Sequence, residues 1–362
     1  MEERDAEALE ALGWGPDLAE AFAPYDARGL TAGRVVARFQ GLLRVHAAAG
    51  EQLATLAGRL RHEARDAGEL PVTGDWVAVS LPRAGGNGQI QARLPRRTCF
   101  VRRAPGSRDE LQALAANLDT VLLVGGLDGD YNPRRIERGL VLARDSGARP
   151  AVILNKADLC ADPEGRRREI EALAAGAPVH VASAATGQGL AELRSYLATG
   201  RTVALLGSSG VGKSTLINRL LGREAQRTTE VRASDARGRH TTTHRELFLV
   251  PGGGLVMDTP GMRELQLWAE DEGLADTFED VETVAARCRF SDCGHESEPG
   301  CAVQGAVAER RLDPARLASY HKLSRELQHL ATRLDPGAQR AARRGLKPIH
   351  KALRNFNPRG RA

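Results

Sequence analysis

Residues 207–214, GSSGVGKS, match in full the pattern G-x-x-x-x-G-K-S of phosphate-binding loops. The apolar segment RTVALL before the loop is typical of a buried strand, and STLINRLL after it is typical of a helix. Glycines allow the backbone to curl so that several N–H groups face a phosphate at the start of that helix. The loop therefore restricts this part of the chain to an α/β domain with a nucleotide site.

Each position of this loop has an expected role in holding a nucleotide. The Lys213 ammonium should reach the β- and γ-phosphates and assist catalysis, and the Ser214 hydroxyl should ligate Mg²⁺. The loop residues expected to contact the nucleotide are Gly207, Ser208, Ser209, Gly210, Val211, Gly212, Lys213, Ser214 and Thr215. Because many NTPases share such a loop, it does not identify the base.

The base is indicated by the motif NKAD, which contains Asn155, Lys156 and Asp158 and directly follows the predicted strand AVIL. A carboxylate such as Asp158 can accept hydrogen bonds from the N1–H and the exocyclic amine of guanine, whereas adenine would leave it unsatisfied. Ser183 and Ala184, after the predicted strand PVHVA, fit a small-residue turn that lets backbone amides approach the guanine carbonyl. GTP is therefore the expected nucleotide. An ATPase would be preferred if an Asp158→Asn change left nucleotide choice unchanged.

A third motif, DTPG, follows the predicted strand GLVM and contains Asp258 and Gly261. We expect Asp258 to hold Mg²⁺ through water and the Gly261 N–H to contact the γ-phosphate. In the preceding segment GRHTTT, Thr241 or Thr242 could complete the Mg²⁺ coordination, with Thr241 as the first choice. Threonine runs are also common in strands, so composition alone assigns neither.

The residue that orients the attacking water is less constrained by the sequence. Many GTPases place a glutamine directly after the DxxG glycine, where this chain has Met262, which cannot orient water. His240 is the nearest polar candidate and is the expected catalytic residue. The alternative is that His240 contacts RNA or solvent.

The order of the motifs is unusual, because NKAD precedes the phosphate loop instead of following it. Such a circular permutation preserves the pocket when the original termini lie near each other, as domain termini often do. The segment after Gly261 then leads directly into the C-terminal part of the chain.

Three cysteines and a histidine cluster after the nucleotide motifs: Cys288, Cys293, His295 and Cys301. Three thiolates and an imidazole can form a closed tetrahedral site for one structural Zn²⁺. Their C-x₄-C-x-H-x₅-C spacing differs from the common C-x₂-C knuckle, so unligated thiols remain the alternative. Cys99 and Cys160 are expected to be ordinary buried thiols.

The remaining chain suggests a multi-domain α/β protein. Short β-rich segments punctuated by Gly and Pro predict a small, OB-like β-barrel before the nucleotide motifs. The predicted units are an N-terminal extension (1–32), the barrel (33–106), a permuted P-loop GTPase domain (107–270), a zinc-binding helical domain (271–334) and a basic tail (335–362).

Net charge is only +5, so its distribution says more about partners than its total. Basic residues crowd one short stretch, and no acidic residue follows Asp335. The crowded arginines are Arg93, Arg96, Arg97, Arg102 and Arg103. This local density favours a polyanion such as RNA, although a solvated tail is the alternative. No apolar run reaches the ~20 residues that a bilayer helix needs, so we expect a cytoplasmic protein without a membrane partner.

Taken together, the chain resembles the ribosome small subunit-dependent GTPase A family. The resemblance rests on NKAD, GSSGVGKST, GRHTTTH, DTPG and CRFSDCGHESEPGCAV in that order, and spans roughly residues 33–330. It implies an N-terminal OB-fold, a permuted GTPase domain and a zinc-binding helical domain. It also implies binding of GTP and GDP, a late role in maturation of the small ribosomal subunit and its rRNA, and stimulation of hydrolysis by that subunit. In the family the histidine of GRHTTT, here His240, is the suspected catalyst.

Two departures and two alternatives accompany the resemblance. The first 30 residues and the extension after Asp335 are not needed by the family pattern. One alternative is a permuted GTPase of the large subunit, against which the β-rich N-terminal module and the position of the cysteines argue. The other is a non-catalytic RNA-binding scaffold that holds GTP. We expect a monomer.

Overall fold

A computed structural model of the chain describes residues 3–39, 41–64, 67–81, 86–103, 111–223, 245–258 and 272–334. The strands in these ranges form one eleven-stranded sheet and a separate two-stranded ribbon. No helix within the same ranges is long and apolar enough to cross a bilayer.

The first five strands form the predicted small barrel. They are β1 (Thr31–Arg38), β2 (Leu43–Ala47), β3 (Gly50–Leu56), β4 (Trp76–Ser80) and β5 (Gly88–Arg93). The pairing closes on itself, because β1 pairs with both β2 and β4 while β5 joins β3 to β4. Alternate side chains that point inward, among them Val35, Val45 and Ile90, fill the barrel.

The segment LATLAGRLR, residues 53–61, is only partly a strand. β3 ends at Leu56, and Gly58–Glu63 forms helix α3. The apolar alternation stops at Gly58, and the polar residues that follow suit an exposed helix, where Arg59 and Glu63 form an i,i+4 ion pair at 2.6 Å.

Two further strands, β6 (Cys99–Arg103) and β7 (Leu111–Ala116), pair with each other in an antiparallel ribbon. The expected boundary between the barrel (33–106) and the GTPase domain (107–270) falls between β6 and β7. The two strands were thus assigned to different domains, although they pair with each other. Sequence patterns could not show this, because strand pairing is a long-range property.

Six strands form the nucleotide-domain part of the large sheet. They are β8 (Thr120–Gly126), β9 (Arg149–Asn155), β10 (Val179–Val181), β11 (Thr202–Gly207), β12 (Glu246–Leu249) and β13 (Leu255–Asp258). Their order is β10-β9-β8-β11-β13-β12, and every neighbouring pair is parallel except β12 with β13. From β8 the chain continues to β9 and β10 on one side of the sheet, and from β11 it continues to β12 and β13 on the other side. The point between β8 and β11 is therefore the switch point at which ligands bind in such sheets.

Helices cover this part of the sheet. They are α4 (Pro133–Asp145), α5 (Pro163–Glu171), α6 (Leu190–Arg194) and α7 (Lys213–Leu221), with a 3₁₀ turn at Ala157–Leu159. The side chain of Asn132 caps α4 by accepting from the Arg135 N–H at 3.2 Å, and Pro133 occupies the first turn. Apolar side chains of α4 and α7 are buried against the sheet.

The barrel and the nucleotide domain share one continuous sheet. Ala37 of β1 pairs with Glu246 of β12, and the Arg44 guanidinium forms an ion pair with the Glu246 carboxylate. The Thr73 hydroxyl also donates to the Arg245 carbonyl at 3.2 Å.

The N-terminal helices α1 (Glu3–Glu10) and α2 (Pro16–Asp26) are part of the core instead of a loose extension. Trp14 packs edge-on against Trp76 of the barrel, with ring centroids 4.9 Å apart. The backbone at Gly13 passes so close to Gly200 that a Cβ at Gly13 would lie 2.6 Å from the Gly200 carbonyl oxygen. These contacts explain why this segment folds with the domains that follow it.

The buried Arg34 links the N-terminal segment, the barrel and the segment before β8. The Arg34 side chain, 1% exposed, donates to the carbonyl oxygens of Leu12, Gly74 and Asn117. Burial lowers the pKa of Arg34 to about 10, and nearby Asp119 and Asp75 partly offset that effect.

The C-terminal helices pack on α4. They are α8 (Glu272–Thr277), α9 (Glu279–Ala285), α10 (Ala302–Ala308) and α11 (Pro314–Leu334). The fully buried Glu137 carboxylate of α4 accepts from Arg316 at 2.6 Å and from the Ser319 hydroxyl at 2.8 Å. Beside it, Arg138 forms a two-point ion pair with Glu326. In the described part of the chain, this helical unit is thus held on α4.

Candidate nucleotide site and metal centre

The nucleotide motifs meet at one edge of the sheet. NKAD follows β9, the phosphate loop follows β11, and Asp258 ends β13. These strands are parallel, so their carboxyl ends lie side by side. The Asp258 side chain is 6% exposed there.

Asn155 links the phosphate loop to the guanine motifs. Its side-chain amide donates to the Val211 carbonyl at 2.8 Å, and its side-chain oxygen accepts from the Ala184 N–H at 3.0 Å. Gly212 has φ +100°, and a Cβ there would lie 2.3 Å from the Asn155 amide nitrogen. A glycine is therefore needed at this position of the loop both for its backbone angle and for the space it leaves.

Asp158 lies at the exposed end of the same motif. The Ser183 hydroxyl donates to its carboxylate at 2.5 Å and in turn accepts from the Thr186 N–H at 3.2 Å. Ser183 is fully buried, whereas Asp158 is exposed. Ser183 therefore orients a carboxylate that faces the edge of the sheet, where a base could dock.

The phosphate loop curls around its own lysine. Lys213 Nζ donates to the carbonyl oxygens of Gly207 at 2.8 Å and Ser208 at 2.6 Å, and α7 begins at Lys213. A Cβ at Gly207 would lie 2.3 Å from the Val124 carbonyl oxygen, so a larger residue would push the loop off β8. The N–H groups at the start of α7 can bind an anion.

Sequence reasoning missed three side chains that support these loops. Asp128 and Asp130, in the loop after β8, contact Lys156 and Ser208. Arg219 of α7 donates to the carbonyls of Ala184 and Ala185 at 3.1 and 2.8 Å. The two aspartates could have been suggested by their position after an apolar strand, but Arg219 carries no such signal.

Several expected site residues lie outside the described ranges. They are His240, Thr241, Thr242 and Gly261. Their roles stay predictions, as do the nucleotide contacts of the loop residues, among them Thr215, which is half-buried on α7.

The four expected metal ligands lie together. Their ligand atoms are all within 4.8 Å of one another. His295 Nδ1 is 3.6 Å from both Cys288 Sγ and Cys301 Sγ, and the two sulfurs are 3.9 Å apart. A tetrahedral ion with zinc–ligand distances of 2.0–2.3 Å would place its ligand atoms roughly 3.5–3.8 Å apart. The cluster therefore fits a metal such as zinc. Cys99 and Cys160 are half-buried thiols apart from it.

Backbone donors shape this cluster. The Gln304 N–H, in the first turn of α10, donates to Cys301 Sγ at 3.4 Å, and the Gln304 side chain donates to the His295 carbonyl at 2.6 Å. Desolvation, partly offset by the His295 backbone N–H, and hydrogen bonds with the thiols of Cys301 and Cys288 together raise the pKa of Cys293 to about 11. To ligate a metal this thiol must lose its proton, so metal binding at the cluster would release protons.

Glu298 organises the loop between these ligands. Its carboxylate accepts from the backbone N–H groups of Gly294, Glu296 and Ser297 at 2.7–3.0 Å. The backbone N–H of Glu298 itself makes the largest contribution, and together these hydrogen bonds lower the pKa of Glu298 to about 2. The chain turns within this loop at His295, which has a positive φ of 58°.

The arginine cluster expected to bind a polyanion is partly used inside the fold. Arg96 forms a two-point ion pair with the fully buried Asp75 at 2.7–2.8 Å and also donates to the Gly68 and Leu70 carbonyls. Arg93 donates to the Glu69 carbonyl at 3.1 Å. Arg97 is exposed. Because buried Asp75 needs a cation, Arg96 stabilises the barrel instead of lining an open groove.

Comparison with known proteins places this geometry in context. Residues 93–268 match the family model described as RsgA GTPase. A protein of Opitutus terrae, "Small ribosomal subunit biogenesis GTPase RsgA", is 51% identical over 355 residues, 96% of this chain and 97% of that protein.

Two solved structures resemble the fold. YjeQ from Thermotoga maritima has a TM-score of 0.61 at 29% identity and covers 83% of this chain and 99% of its own. YloQ, described as a circularly permuted GTPase, has a TM-score of 0.57 at 23% identity, covers 84% and 96%, and supports the fold alone. The predicted fold class, a barrel followed by a permuted P-loop domain and a Cys₃His cluster, is confirmed.

Proposed function

The chain belongs to the RsgA GTPase family, and from this premise we propose that it acts in the cytoplasm on the small ribosomal subunit, contacting its rRNA and using GTP to control late maturation. GTP hydrolysis is the activity of the family. Two observations support the proposal best. Asn155 bridges two nucleotide motifs, and a relative that is 51% identical is named for small-subunit biogenesis.

We propose that Asp158 reads the guanine base. Its carboxylate would accept from the guanine N1–H and amine, while Ser183 holds it in place. The N–H groups of residues 207–214 would hold the phosphates, and Lys213 would exchange its bonds to the loop carbonyls for bonds to phosphate oxygens.

A magnesium ion bound with GTP would neutralise the charge that develops on the phosphates. The hydroxyls of Ser214 and Thr241 are the ligands proposed to hold it, and the Asp258 carboxylate would hold it through water. We propose that His240 orients the attacking water. A His240→Ala variant should then lose stimulated turnover while its GTP affinity is unchanged.

We propose one structural zinc ion at Cys288, Cys293, His295 and Cys301. The short loop between these ligands is largely exposed, so metal would supply much of its stability. Zinc content near zero in folded, purified protein would contradict this assignment.

The decisive experiment measures GTP hydrolysis by the full chain alone, with purified small subunits and with purified large subunits. We expect stimulation by small subunits. A Lys213→Ala variant should lose GTP binding or turnover, while Lys322→Ala, which removes an exposed lysine of α11, serves as the matched control.

The other outcomes identify the alternatives. Stimulation only by large subunits would indicate a large-subunit GTPase. GTP binding without turnover under any condition would indicate a scaffold. Wild-type GTP affinity in Lys213→Ala would refute the phosphate-loop assignment.

A further inference from the structure

Strand β8 lies between the two strands that carry the nucleotide motifs. It pairs with β9, which ends at Asn155, and with β11, which leads into the phosphate loop. The loop after β8 must therefore lie between the guanine motif and the phosphate loop. It contains two aspartates, Asp128 and Asp130.

Asp128 holds the lysine of the guanine motif. Its carboxylate oxygen lies 2.5 Å from Lys156 Nζ, with both side chains about three-quarters buried. Lys156 has φ +64°, a left-handed conformation that a lysine adopts only when its surroundings hold it. The Leu127 N–H also donates to the Asn155 carbonyl at 2.8 Å, which ties this loop to the motif at the backbone.

Asp130 holds the phosphate loop. Its carboxylate accepts from the Ser208 hydroxyl and, at 2.7 Å, from Arg135 of α4. The Asp130 N–H donates to the Asp128 carboxylate at 3.2 Å, so the two aspartates form one connected unit. Partial burial disfavours the charge on both groups, but their hydrogen bonds and the nearby cations lower the pKa of each, so both are ionised at neutral pH.

We propose that Asp128 and Asp130 are positioning residues of the nucleotide site, one acting through Lys156 and the other through Ser208, and that together they set how fast guanine nucleotide leaves. The inference rests on the proposed function of the same pocket. Neither aspartate reads the base, because that role belongs to Asp158. Their loss should therefore weaken GDP and inosine diphosphate binding by the same factor.

The test measures release of a fluorescent GDP derivative from the full-length protein. Asp128→Asn keeps the size of the side chain and removes its charge, and we expect about tenfold faster release. The Asp128→Asn, Lys156→Met double variant should release GDP as fast as Lys156→Met alone, since Asp128 acts through Lys156. Asp130→Asn with Ser208→Ala forms a second cycle with the same expected pattern.

Asp119→Asn is the matched control. Asp119 precedes the opposite end of β8 and pairs with Arg201 at 2.8 Å, so its loss also removes an ion pair beside this strand. It should leave the release rate at the wild-type value, even if its thermal stability falls. If Asp128→Asn and Asp119→Asn lose similar thermal stability but only Asp128→Asn releases GDP faster, the faster release comes from positioning and not from general destabilisation.

Any of three results would overturn the inference. One is a release rate in Asp128→Asn equal to wild type. Another is multiplication of the single-variant effects in the double variants, which would show that each aspartate acts independently of its partner. A changed ratio of GDP to inosine diphosphate affinity would also contradict it. Failure of the proposed function looks different, because the wild-type protein itself would then not prefer guanine nucleotides.

Discussion

The side-chain amide of Asn155 donates a 2.8 Å hydrogen bond to the carbonyl oxygen of Val211, which lies 56 residues further along the chain. The same side chain accepts from the Ala184 N–H. One buried carboxamide thus connects three loops in a chain where the phosphate loop follows the other two instead of preceding them.

Asn155→Ala should destabilise the fold and the site together. The change leaves the buried Val211 carbonyl and Ala184 N–H without this partner, which costs about 1–3 kcal/mol for each group. We expect the free energy of unfolding to fall by about 2–4 kcal/mol in urea, with GDP affinity falling as well. Asp162→Ala removes the cap of α5 and should cost about 1 kcal/mol without changing GDP affinity. Unchanged GDP affinity in Asn155→Ala would contradict the bridging role.

Asp158→Asn should change the base that is bound. An amide cannot accept from both the guanine N1–H and amine, but it can donate to the 2-carbonyl of xanthine and accept from its N1–H. We expect GTP affinity to fall by a factor of about 100 or more and xanthosine triphosphate affinity to rise. Competition binding with both nucleotides measures this.

Asp162→Asn is the control for that change, because asparagine caps a helix as well as aspartate does. It lies near Asp158 in sequence and should leave nucleotide choice as in the wild type. A GTP preference retained in Asp158→Asn would indicate that another residue reads the base, whereas a preference for ATP in both proteins would favour the ATPase alternative.

The contribution of Glu298 should depend on pH. Its pKa is about 2 in the folded protein and ordinarily 4.5, so its stabilisation is complete above pH 4.5 and is lost as the pH falls toward 2. Glu298→Gln should lower the Tm at pH 7, and the Tm difference from wild type should shrink between pH 4.5 and pH 2. A difference in Tm that does not change with pH would contradict the assignment of charge-dependent hydrogen bonds.

The Glu137–Arg316 pair should account for much of the docking of the helical unit on α4. Arg316→Met leaves a fully buried carboxylate with only Arg134 and Ser319, and should lower the free energy of unfolding by about 3 kcal/mol. Glu137→Gln combined with Arg316→Met should cost less than the sum of the single changes, by at least about 1 kcal/mol. Denaturant unfolding of the four proteins tests this.

Arg325→Met is the matched control for that cycle. Arg325 pairs with Glu296 at 2.6 Å, but both side chains are more than 60% exposed. Its loss should cost less than about 0.5 kcal/mol, because water screens exposed pairs. Additive effects of Glu137→Gln and Arg316→Met would show that the buried pair is not energetically coupled.

Local patterns were enough to predict the strand–loop–helix around Lys213, the strand before Asn155 and the cluster of three cysteines and a histidine. Each of these features is set by neighbouring residues, since a phosphate loop needs its glycines in place and a strand needs a run of apolar side chains. The closed barrel was predicted in the same way, apart from helix α3, where the alternation ends at Gly58.

Long-range pairing produced the features that these patterns missed. Arg96 resembles an exposed basic residue until Asp75 is placed beside it, and Trp14 belongs to a dispensable-looking segment until Trp76 packs against it. Asp128 gains its role because β8 lies between β9 and β11. Strand order and charge pairing arise from contacts between residues far apart in the chain, and no periodicity or spacing within a short segment encodes them. The motif residues of the pocket can therefore be identified from the sequence alone, whereas the residues that hold those motifs in place, such as Asp128, are identified only from the folded structure.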